Sequence, residues 1–335
     1  MNGILGTALA VQSPLIVDGA MATELEKHGV DTANALWSAM ALIRDPQAVH
    51  DVHRSYFEAG ANIAITNTYQ ANIPAFERIG LSGDEARELI ASAVDEAIEA
   101  RDEYRSAVPA SAAEETLDNR HVRPLLVAGS VGPYGAFLAD GSEYTGGYTL
   151  TDVEYRDFHR ERMSILAEAG VDLFAFETMP NMAEVRSLIG LLSDEFSDME
   201  AWVSFSLRNA GHLCDGTALD EAAAALDRVP GISAIGVNCV PLELVGDAIG
   251  CIRSATDKPI IIYPNNGDIY HPDTKTWTPN PSGLNLARLA PQWIDAGASI
   301  IGGCCRTTPS DIQELAAVCH GPSAQTQTSD RETLS

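Results

Sequence analysis

Two adjacent cysteines, Cys304 and Cys305, follow a glycine pair in IIGGCCRTT (300–308), and a third, Cys239, closes AIGVNC (234–239). Thiols so placed can pack as small apolar groups, cycle redox states or ligate a metal. A disulfide between the neighbours is disfavoured: adjacent Cα atoms sit ~3.8 Å apart, short of the ~4.4–6.8 Å a disulfide spans. A thiol-redox enzyme is an alternative, but no C-x-x-C motif supports it. Three thiolates leave one tetrahedral position of a zinc ion open, the mark of a catalytic rather than a closed structural site. That openness also disfavours a non-enzymatic zinc-binding protein. One Zn2+ per chain on Cys239, Cys304 and Cys305 is therefore expected, with Gly302 and Gly303 supplying the backbone freedom to turn both thiols to one point. Cys214, Cys251 and Cys319 read as packing residues.

Those cysteines must be brought together by the elements that carry them. Apolar, β-rich runs bounded by turn residues occur at 15–20, 62–69, 125–132, 173–179, 201–207, 234–239, 259–265 and 299–305. They are nearly continuous rather than alternating, as parallel strands buried on both faces require. Helical patterns fill the gaps, among them DPQAVHDVHRSYFEAG after the first run and TDVEYRDFHRERMSILAEAG after the third. The phrases EAGANI, EAGVDL and DAGASI recur before the second, fourth and eighth runs, each closing a helix with glycine. Eight β-then-α units predict an α/β fold of the (β/α)8 TIM-barrel type, a single domain over residues 12–320. A doubly wound open sheet is the competing architecture, but no glycine-rich dinucleotide fingerprint follows the first strand. Residues 106–122 read as a polar insertion, and 321–335 as a disordered tail.

Active sites of such barrels lie at the carboxyl ends of the strands. The polar groups ending strands here are Asp18, Asn67 with Thr68 and Tyr69, Glu177 with Thr178, Asn238 with Cys239, Asn265 with Asn266, and the cysteine pair. Asp18 could instead cap the turn that follows it, and Asn238 could brace the barrel mouth. A charge on Glu177 after the apolar LFAF demands a partner. Two acids on one rim could hold a substrate ammonium, with backbone N–H groups of the Gly19–Met21 turn taking a carboxylate. His50, His53 and His159 lie in helical patterns without ligand spacing and read as surface or packing residues.

Composition narrows the partners. The net charge of −26, from 47 acidic against 21 basic residues, argues against nucleic acid and anionic membrane surfaces. No run of about 18 apolar residues predicts a membrane helix. The N-terminus lacks the basic n-region of a signal peptide, so a cytoplasmic location is expected. Small molecules are the expected partners, and a homo-oligomer is left open.

The motifs DGAMATELE (18–26), TNTYQAN (66–72), GVNC (236–239) and GGCCRT (302–307) resemble the homocysteine S-methyltransferase family. GSVGPYGAFLADGSEYTGGY (129–148), FETMPN (176–181) and IIYPNNGDIYHPDTKTW (261–277) are similar to its stand-alone members that use S-methylmethionine or S-adenosylmethionine. The resemblance spans about residues 12–320. It implies zinc ligands at Cys239, Cys304 and Cys305, homocysteine-holding acids at Asp18 and Glu177, and a site-lining segment at Thr68 and Tyr69. It implies methyl transfer from a sulfonium donor, S-methylmethionine before S-adenosylmethionine, to the thiol of L-homocysteine, giving methionine. The insertion at 106–122 is its main departure from the family pattern and touches none of these residues.

Overall fold

The computed structural model describes residues 3–32, 34, 36–107, 123–271, 276–278, 280 and 282–321. All of the expected tail after Gly321, and nearly all of the expected insertion, lie outside them. Eight parallel strands form one sheet. They are β1 (Leu15–Ile16), β2 (Ile63–Ile65), β3 (Leu126–Val131), β4 (Leu173–Met179), β5 (Ala201–Phe205), β6 (Ile232–Asn238), β7 (Ile260–Tyr263) and β8 (Ala298–Ile301). Each pairs with its successor, and β8 returns to β1 through Leu15–Ile300 and Ile16–Ile301. A Val17–Ile63 bridge and the Asn62 N–H to Ile16 carbonyl bond (2.7 Å) join β1 to β2, closing the barrel.

Strand alternation decides what reaches the mouth. On β4, Leu173 and Ala175 point into the lumen while Phe174 and Phe176 pack outward against helices. Continuing this period of two places Glu177 inward, at the carboxyl end. On β6, Ala234 is inward and Ile235 and Val237 outward, so Asn238 is inward too. The lumen below is filled by Leu15, Val17, Trp202, Ile261, Tyr263 and Ile300, all fully buried or nearly so.

The N-terminal helix Ile4–Val11, which no periodicity announced, closes the floor. Its Leu5 and Ala8 join the lumen cluster, and its first N–H groups are capped by Glu200, at 2.9 Å for Ile4. Burying a leucine in this way stabilises by about 1.5–3 kcal/mol.

The outer helices begin and end on local chemistry. Pro46–Ala59 starts at the Asp45 cap with proline first, and ends on Gly60 at φ 113°. Pro309–His320, directly after the cysteine pair, is started by a Thr308–Asp311 capping box. Two short hairpins, Leu207–Asn209 with His212–Leu213 and Ile269–His271 with Thr276–Thr278, follow β5 and β7. No helix among the described residues is long and apolar enough to cross a membrane.

Candidate active site

Cys239 leaves β6 with φ 53°, and Cys304 and Cys305 follow β8, so three thiols from two strands meet at the barrel mouth. Their sulfurs all lie within 4.8 Å of one another. The Cys239 and Cys305 sulfurs are 3.5 Å apart. Among the described residues this is the one cluster of three or more His, Cys, Asp or Glu side chains able to share a metal ion.

The donor set fits a soft metal. Hydrogen bonding to Cys239 and Cys305, together with burial, pushes the Cys304 thiol well above its ordinary range. Three thiolates this close repel one another, so holding all three deprotonated requires a cation among them.

The cysteine turn is braced from β7. Cys304 N–H donates to the Pro264 carbonyl (2.8 Å), Cys305 N–H to Asn265 Oδ1 (3.2 Å), and Asn266 Nδ2 to the Arg306 carbonyl (2.9 Å). The two glycines do not act through backbone freedom as expected, for neither has a positive φ. They provide room: a Cβ on Gly302 would come 2.5 Å from Val17 Cβ, and one on Gly303 2.4 Å from Thr307 Oγ1.

The thiols open into a cavity of about 160 Å³, lined also by Asp18, Glu177, Tyr69, Trp37 and Tyr144. Asp18 accepts from the Ile65 N–H at 2.8 Å, and Glu177 from the Ser130 hydroxyl. Burial holds Asp18 well above the usual carboxylate range, with the nearby Glu177 charge adding to the effect. Burial pushes Glu177 up to about 7 against the downward pull of Ser130 and Tyr263. Among the described residues, Arg306 is the one Lys or Arg on the cavity wall, and its Nε lies 3.4 Å from Asp268.

Other expected residues sit behind this wall. Asn238, fully buried, accepts from the Thr178 N–H (2.7 Å) and Ser204 hydroxyl (2.8 Å) and donates to Thr178 Oγ1 (2.8 Å). It thus secures Thr178 at φ 58°, the left-handed residue beside Glu177. Thr68, also fully buried, bonds Thr66 and the Ser130 carbonyl, each at 2.8 Å. Within the Gly19–Met21 turn, the Ala20 N–H is taken up by Thr307. Tyr69 does reach the cavity, set edge-on to Trp37 with centroids 6.1 Å apart.

A profile of the homocysteine S-methyltransferase family matches residues 15–319. The chain belongs to the homocysteine S-methyltransferase family. A homocysteine S-methyltransferase of Bacillus subtilis (strain 168), YbgG, is 46% identical over 306 residues, 91% of this chain and 94% of its own. The homocysteine S-methyltransferase of Escherichia coli (strain K12) is 44% identical over 94% of this chain and 98% of its own. The crystal structure of the E. coli homocysteine methyltransferase MmuM in its metallated form superposes with a TM-score of 0.82 at 42% identity, covering 93% of this chain and 99% of that one.

In this homocysteine S-methyltransferase the residue that strand-end reasoning missed is Tyr144. Its hydroxyl lies 3.2 Å from Cys239 Sγ although the residue as a whole is nearly half exposed. Tyr144 sits in the long segment after β3, so no strand end marks it. The glycines of GSEYTGGY were its only local signal.

Proposed function

We propose that this chain transfers a methyl group from a small sulfonium donor, S-methylmethionine in preference to S-adenosylmethionine, to the thiol of L-homocysteine, giving methionine. The observation that carries the reading is the meeting of Cys239, Cys304 and Cys305 in a cavity shared with two buried acids. These cysteines are the residues that would hold zinc. Zinc bound there supplies an open position at which a thiol is deprotonated at neutral pH.

The chain's own groups then bind and orient. Asp18 and Glu177, whose charges burial resists, with the Glu177 charge adding to the effect at Asp18, are matched to a substrate ammonium that would relieve both. Asn238 and Ser130 hold Glu177 and its neighbour in place from behind. A sulfonium donor leaves as a neutral thioether, so the reaction needs no general acid, only in-line alignment of nucleophile, methyl carbon and departing sulfur. The wall accordingly offers thiols, carboxylates and aromatic rings, and among the described residues no histidine lines it.

The test is metal analysis of anaerobically purified protein with a methyl-transfer assay on homocysteine, comparing S-methylmethionine, S-adenosylmethionine and betaine. About one zinc per chain is expected, lost together with activity in Cys239→Ser. Absence of methionine from every donor overturns the reading.

A further inference from the structure

Behind the cavity runs a chain of buried charged groups that the methyl-transfer reading leaves without a task. Glu184 and His159 are fully buried and Arg162 is 2% exposed. Ionisable side chains placed so deep are costly unless each finds partners, and well-packed apolar residues could hold the same helices together at no such cost. What the charged residues add is direction, because each end of the chain terminates on a segment of the barrel mouth.

One end is the Glu184 carboxylate. It accepts from the Tyr134 N–H at 2.6 Å and from the Tyr148 hydroxyl at 2.5 Å. Tyr134 and Tyr148 are the two feet of the strap that crosses the mouth after β3. Between them the strap turns on Gly141 (φ 85°) and Gly146 (φ 64°), and its crest lowers the Tyr144 hydroxyl onto Cys239 Sγ. The other end is the Arg162 guanidinium, which donates to the Gly132 carbonyl at 2.7 Å and the Tyr69 carbonyl at 3.2 Å. Gly132 lies two residues ahead of the strap's first foot, and Tyr69 carries a ring on the cavity wall.

His159 joins the two ends, with Nε2 2.8 Å from Glu184 and Nδ1 2.9 Å from Arg162. A guanidinium has only donors, so Nδ1 must accept and Nε2 must carry the proton given to Glu184. The bonding thus runs one way, from Arg162 through His159 to Glu184. Burial lowers Arg162 to about 10, still cationic at neutral pH and matched to the carboxylate at the far end.

The geometry points to the Tyr148–Glu184–His159–Arg162 chain as a positioning device for the sulfonium donor: it pins the strap, and through it Tyr144, over the cysteine sulfurs. This rests on the methyl-transfer reading. These residues touch no reacting atom. They set how closely the mouth is covered where donor and nucleophile must align.

The test is Tyr148→Phe in the full-length, metal-loaded protein, alone and combined with Tyr144→Phe. Removing one hydroxyl at the strap's foot is expected to lower kcat/KM for S-methylmethionine about tenfold. KM for homocysteine and metal content should change less than about twofold, since the cysteines and both acids are untouched. In a Tyr144→Phe background the same change should have little further effect, because the device acts through Tyr144. Hydrogen exchange at the amides of residues 141–147 should quicken in Tyr148→Phe, and likewise in Glu184→Gln, which keeps the shape but not the charge. Additive kinetic losses, or unchanged exchange in both variants, would overturn the inference. If the unsubstituted protein methylates homocysteine from no donor, the functional reading fails, and exchange at 141–147 still decides whether the chain pins the strap.

Discussion

Asn238 offers the sharpest test of how this site is built, because it stands one residue from a metal-ligand candidate yet does not line the cavity. Replacing it by alanine removes the acceptor for the Thr178 N–H (2.7 Å) and the Ser204 hydroxyl (2.8 Å) and the donor to Thr178 Oγ1 (2.8 Å). Ser204 keeps a second partner in the Tyr263 hydroxyl at 2.6 Å, so its loss is small. The Thr178 N–H is left buried and unpaired, on a residue already in the left-handed region, which costs about 1–3 kcal/mol. With the other lost bonds and the vacated space, the total comes to about 3 kcal/mol. For a chain of this size, with m of ~3 kcal/mol/M, the urea midpoint should fall by about 1 M. Metal content should persist, while KM for homocysteine rises as Glu177 loses its fixed neighbour. An unchanged urea midpoint with homocysteine binding abolished would refute the bracing role and make Asn238 a direct substrate contact.

Two further expectations concern stability. Gly303→Ala places a methyl 2.4 Å from Thr307 Oγ1 and 2.6 Å from Thr307 Cβ; it should destabilise the fold by about 1–3 kcal/mol and weaken metal retention on dialysis against a chelator, whereas a variant with full metal retention would separate the glycine from the cysteine turn. His53 is buried with neither ring nitrogen bonded, and burial drives it down to about 3. A lowered histidine pKa means the unfolded chain takes up a proton first, so its stability contribution is complete above ~6.5 and is lost as pH falls toward 3, by up to about 5 kcal/mol. His53→Leu should therefore flatten stability over that window relative to the unsubstituted protein, measured by urea midpoints at a series of pH values; parallel pH profiles would contradict it.

The sequence made legible whatever follows from strand order and the period of two. Cysteines ending the sixth and eighth strands had to meet at one rim, and Glu177 had to follow Leu173 and Ala175 into the lumen. It was less informative about which way a polar strand-end residue is used. Asn238 and Thr68 belong to strand ends just as Asp18 does, but their side chains are taken up by Thr178 and Ser204 and by Thr66 and the Ser130 carbonyl, and such pairings are invisible to composition. Glycine is similarly ambiguous, since Gly302 and Gly303 answer to the crowding of Val17 and Thr307 rather than to any need for unusual dihedrals. Helical periodicity left His159 as a surface or packing residue; it is buried, and periodicity cannot show that it is bonded on both nitrogens. The floor helix Ile4–Val11 carries no polar face strong enough to announce itself.

That floor has a consequence for traffic. With Trp202 and Tyr263 filling the lumen and Leu5 and Ala8 closing it from beneath, nothing can pass through the barrel, and every molecule that reaches the sulfurs must leave by the opening it came in through. Two reactants and two products then share one doorway. A molecule seated behind another could leave only after its neighbour had cleared that doorway, so the blocked floor ties the traffic of both reactants to the barrel's mouth.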